Sequence, residues 1–121
     1  MQAEFRFARE ASEFATDERC HIVEVSNDHG DAELSIARAR VEPGITTAWH
    51  RLEGIAERYL VIAGQGLVEV GELPPTRVGA GDVVRIPPGV AQRITNDGDE
   101  QLIFYALCTP RFEAENYTQL D

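Results

Sequence analysis

Short segments in which apolar and polar residues alternate follow one another from Cys20 to Cys108, and a cluster of Gly, Pro, Asn or Asp ends each of them. Alternation with a period of two puts successive side chains on opposite faces, which suits a strand with one buried face and does not suit a helix. Strands are expected over 20–25 (CHIVEV), 33–41 (ELSIARARV), 48–52, 57–63 (ERYLVIA), 67–70, 83–86, 91–95 and 101–108 (QLIFYALC). The breaks fall at Asn27–Gly30, Glu42-Pro43-Gly44, Gly64-Gln65-Gly66, a loop over 71–76 holding Pro74-Pro75, Ala80-Gly81-Asp82, Pro87-Pro88-Gly89 and Asn96–Asp99. Many short strands at near-regular spacing predict an all-β sandwich or barrel. The ends are less regular: residues 10–16 suggest a helical turn, and 111–121 an arm or short helix.

At 121 residues the chain suits one domain, 1–121, and is too short for two independent cores. Its net charge of −10 disfavours phosphate backbones and anionic membrane surfaces, so neither nucleic acid nor membrane is an expected partner. Every basic side chain is arginine; without lysine there is no Schiff-base chemistry and no P-loop lysine. No apolar run is long enough to cross a bilayer. The opening MQAEFRFARE has charges where a signal peptide needs an apolar run, and a cytoplasmic location is the default expectation. Cys20 and Cys108 form no CxxC pair, and buried thiols are expected, a disulfide requiring that their strands be neighbours.

Two stretches carry more than fold class. Residues 44–64 read GITTAWHRLEGIAERYLVIAG, and residues 81–96 read GDVVRIPPGVAQRITN. These resemble the two motifs of the cupin family, G-x5-H-x-H-x3,4-E-x6-G and G-x5-P-x-G-x2-H-x3-N. Gly44, His50, Glu57 and Gly64 occupy the spaced positions of the first, and Gly81, Pro87, Gly89 and Asn96 those of the second. The resemblance implies a small single-domain cupin, a double-stranded β-helix (jelly-roll) barrel with short irregular or helical ends. It also implies a divalent metal (Mn, Fe, Ni or Zn) in a barrel pocket, a small polar molecule as ligand, isomerase, lyase or oxygenase chemistry, and pairing of barrels into a homodimer.

The departures fall on the metal ligands. The second histidine of the first motif is Leu52, and the histidine of the second is Gln92. His50, Glu57 and Gln92 remain as the candidate metal set, one nitrogen and two oxygens, which leaves no pair of motif histidines for a 2-His-1-carboxylate triad. Two roles stay open for them. His50 and Glu57 either hold an ion or form a buried hydrogen-bonded pair, and Gln92 either completes the site or orients a substrate. Tyr59 shares strand parity with Glu57, so it is a candidate catalytic acid and pocket residue, with core packing as the alternative. Arg38 is a candidate substrate clamp or part of a salt-bridged outer face. Glu53 and Trp49 are expected to point away from His50. An enzyme acting on a small molecule and a metal-free binding module both fit this pattern, since fold alone does not choose.

Overall fold

The computed structural model describes all 121 residues and contains eleven strands in two antiparallel sheets. In chain order the strands are β1 Phe14–Ala15, β2 His21–Ser26, β3 Ser35–Val41, β4 His50–Leu52, β5 Ala56–Ala63, β6 Gln65–Val70, β7 Thr76–Gly79, β8 Val83–Ile86, β9 Gln92–Thr95, β10 Leu102–Thr109 and β11 Tyr117–Gln119. One sheet runs β1-β2-β3-β10-β5-β8, and the other β11-β4-β9-β6-β7. No helix is long and apolar enough to cross a membrane.

The alternation expected from the sequence is what seals the sheets together. In β5, Glu57, Tyr59 and Val61 are buried while Arg58, Leu60 and Ile62 are less so. In β9, Gln92 and Ile94 point in, and Arg93 and Thr95 out. Ala39, Val41, Val61, Val68, Ile94, Leu102 and Phe104 join one apolar core between the sheets. Fully buried aliphatic side chains such as Ile94 and Leu102 each contribute roughly 2 kcal/mol of transfer free energy.

The motif glycines and Asn96 fix how the strands connect. Gly64 has φ +77°, a left-handed conformation that L side chains avoid, and it turns β5 into β6. Asn96 is wholly buried: its Nδ2 donates to the carbonyls of Val41 and Glu100 at 2.8 Å each, and its Oδ1 accepts from Gly98 N at 3.0 Å. One side chain therefore ties the β9–β10 turn to the end of β3. The two motifs also meet directly, because Gly89 N donates to the Leu52 carbonyl at 2.8 Å.

The structure sharpens three expectations. Residues 76–79 form β7, paired with β6, so the loop around Pro74-Pro75 is shorter than its composition suggests. Residues 10–16 hold only a single 3-10 turn, Glu10–Ser12, followed by β1, whose Phe14 and Ala15 pair with Ile22 and His21. The C-terminal arm is not free: after the 3-10 turn Ala114–Asn116 it runs as β11 along β4, placing Tyr117 opposite Leu52.

Candidate functional site

His50 opens β4, and its Nδ1 lies 2.8 Å from the carbonyl oxygen of Ala48. A carbonyl can only accept, so Nδ1 carries a proton, and in the neutral ring Nε2 is the acceptor. The Tyr117 ring stacks on the imidazole at 5.1 Å between centroids. Across the β4–β9 pairing His50 faces Gln92, which has no solvent exposure. Gln92 Nε2 donates to Glu57 Oε1 at 2.7 Å, and the Tyr59 hydroxyl donates to Gln92 Oε1. A directed chain, Tyr59 to Gln92 to Glu57, follows. The Tyr59 ring packs against Phe104, 4.4 Å between centroids.

Burial governs the protonation of this chain. Glu57 is 8% exposed, and loss of solvation pushes its carboxyl from 4.5 up to about 7; the Gln92 hydrogen bond opposes the shift and the Glu18 carboxylate adds to it. Burial, reinforced by the charge of Glu57, holds Tyr59 well above its ordinary value, so it stays a donor. Cys108 lies opposite Glu57 in the β5–β10 register, and burial keeps its thiol above the ordinary range; Cys20 is pushed up to about 12 for the same reason. Both cysteines are free, buried thiols.

His50, Glu57, Tyr59, Phe104, Cys108 and Tyr117 line a cavity of about 330 Å³ between the inner face of the larger sheet and β4 and β11. Space exists there because β3 and β10 present Ser35, Ala37, Ala39 and Ala106 inward. Burial, reinforced by the neighbouring Glu18 carboxylate, holds the Tyr117 hydroxyl above its ordinary value.

His50, Glu57 and Tyr59 all line the cavity, whereas Gln92 stands behind Glu57 and Tyr59, its amide engaged by both. Arg38 does not reach the cavity. The parity that turns Ala37 and Ala39 inward turns Arg38 outward, where it pairs with Glu10 at 2.5 Å and Glu13 at 3.8 Å. Arg51 holds Glu53 at 2.7 Å, and Trp49 lies under the Arg93 guanidinium at 5.0 Å. Tyr117 and Glu18 were not anticipated: one arrives on a strand that pairs over a long sequence distance, the other on an irregular loop.

A protein-bound divalent ion of the expected kind takes three or four protein donors. No three His, Cys, Asp or Glu side chains converge in the structure. Leu52 supplies no donor and instead packs with Ile55, Cys108, Phe112 and Tyr117, while the Gln92 amide oxygen already accepts from Tyr59. The donor set does not fit a resident metal.

A family model described as a cupin domain matches residues 37–108. Over 91 residues the chain is 32% identical to the oxalate-binding protein of Thermotoga maritima, covering 74% of this chain and 73% of that one. Among solved structures, an uncharacterised Klebsiella pneumoniae protein with a double-stranded β-helix domain superposes with a TM-score of 0.79 at 19% identity, covering 98% of this chain and 99% of that chain. A variant of Streptomyces PAC13 solved with uridine gives 0.81 at 16% identity, covering 99% and 92%. At these identities the two structures speak to the fold, and the sequence matches carry the family. With both motif frameworks in place and the family model spanning more than half of the chain, the chain belongs to the cupin family.

Proposed function

We propose that this cupin binds a small organic molecule in its barrel cavity without a resident metal ion. The observation that carries the reading is the replacement of a converging metal set by a closed hydrogen-bond chain, Tyr59–Gln92–Glu57, beside a cavity of about 330 Å³. That volume is at the low end for small-molecule sites, so the ligand is small. His50 offers it a polar contact, and Phe104 and Leu52 apolar ones. Gln92 positions Glu57 and does not touch the ligand. If the site performs a reaction, Glu57 is the group able to move a proton near neutral pH; Tyr59 holds its own too firmly.

A thermal-shift and NMR screen of small molecules tests this. Binders are expected to perturb cavity residues and to be lost in Ala106→Phe, which fills the space while keeping an apolar wall. Hits that persist unchanged in that variant would place binding elsewhere and refute the reading.

A homodimer belongs to the same proposal. β8 is an edge strand of the larger sheet, and Val83 on it is 58% exposed beside Ile62 of β5 at 46%. Unpaired edges with apolar side chains favour pairing with a second copy. Light scattering at high micromolar concentration is expected to give the dimer mass, and Val83→Glu to shift it toward monomer; a wild-type monomer would contradict the proposal.

A further inference from the structure

The charge of the cavity wall is one-sided. Asp17, Glu18, Glu24 and Glu57 line it, and no arginine does. With no lysine in the chain, His50 is the one lining group that can carry positive charge. Eight of the eleven arginines, Arg38 and Arg40 among them, hold carboxylates outside the cavity. None of the four cavity acids takes part in an ion pair. Asp17 and Glu24 are exposed at the rim, Glu18 is half-buried, and Glu57 is buried, so the acids are graded from mouth to floor.

Five aromatic rings share the wall with small and aliphatic side chains. Phe14, Tyr59, Phe104, Phe112 and Tyr117 surround the same space. Aromatic faces attract cations through their quadrupole, and they attract them more strongly where water is excluded. Carboxylates at a cavity mouth raise the local concentration of cations and repel anions. A dicarboxylate such as oxalate finds no guanidinium here to receive it, and the donor set that would bring a bridging metal is missing.

We infer that the ligand is a small organic cation, an amine with an apolar or aromatic body, held between the aromatic wall and the unpaired carboxylates led by Glu18. This rests on the reading of the cavity as a metal-free ligand site and names the chemical class that site selects.

Three probes of similar size, 2-phenylethylamine, 2-phenylethanol and phenylacetate, separate the charge from the shape, and oxalate is the small dianion beside them, each titrated by NMR at neutral pH. The amine is expected to bind at least about tenfold more tightly than the alcohol, with phenylacetate and oxalate weaker still. Glu18→Gln is expected to weaken the amine several-fold and leave the alcohol unchanged. If the alcohol or phenylacetate perturbs the cavity as strongly as the amine, the charge inference is overturned and the pocket reading stands. If none of the four probes perturbs cavity residues, both are overturned together. The wild-type comparison decides the matter even if the Glu18 variant folds poorly.

Discussion

Gly64→Ala is expected to destabilise the protein by more than about 3 kcal/mol, and to lower its melting temperature by about 10 °C or more. Two costs combine at this position. The first is conformational: φ is +77°, where a Cβ crowds its own backbone at about 1–2 kcal/mol. The second is a collision, because a Cβ on Gly64 would strike the carbonyl oxygen of Gln101 and come within 3.0 Å of Leu102 Cα. Both obstacles are backbone at the start of β10, the central strand that pairs with β3 and β5, so neither can rotate away. Gly44 supplies the control. Its φ is +82°, but a Cβ there meets nothing within 4 Å, and Gly44→Ala should cost only the conformational part, about 1–2 kcal/mol. Urea unfolding of the two variants measures the gap. Equal losses would show that the close approach of Gly64 to β10 contributes nothing.

The second large effect is a dependence of stability on pH that resides in one residue. Glu57 titrates at about 7 in the folded protein against 4.5 ordinarily, because burial disfavours its charged form. Below 4.5 both states hold the proton, and the group has no effect on the balance. Between 4.5 and about 7 the native state binds more protons than the unfolded chain, so stability falls as pH rises; above that the loss is complete. The difference corresponds to a loss on the order of 3 kcal/mol. Glu57→Gln keeps an amide oxygen to accept from Gln92 Nε2 and removes the titration. The variant should match the wild type near pH 5 and exceed it by about 2–3 kcal/mol near pH 8. Peripheral acids such as Glu10 and Glu13, lowered by their arginine partners, titrate alike in both proteins and cancel in the difference. Wild-type and variant stabilities that run parallel across this window would refute the assignment of Glu57 as a buried, proton-holding group.

The sequence made the framework legible because framework residues act through local stereochemistry. Gly64 turns on its own φ, Asn96 caps the turn beside it, and Gly89 donates to a strand end reached by a fixed motif spacing. Strand parity likewise brought Glu57 and Tyr59 to one face of β5, and Ala37 and Ala39 to one face of β3. Parity alone does not say which face is inside, and this left Arg38 open as a clamp until the alanine stripe was seen to line the cavity. Tyr117 and Glu18 were illegible for a different reason. Each reaches the site through pairing or loop packing across a long stretch of chain, and nothing in the local pattern of 111–121 or 16–20 marks it. The role of Gln92 was half legible: its position opposite His50 follows from the motif, but its engagement by Glu57 and Tyr59 depends on three side chains from two sheets.

The ligand set inside the barrel is where this cupin departs from its family, and metal content tests that departure most directly. The purified chain, dialysed in turn against Mn, Fe(II), Ni and Zn and then against metal-free buffer, should retain far less than one ion per chain by elemental analysis. Retention of one ion per chain that disappears in His50→Ala and Glu57→Gln would show that the pocket is a metal centre after all.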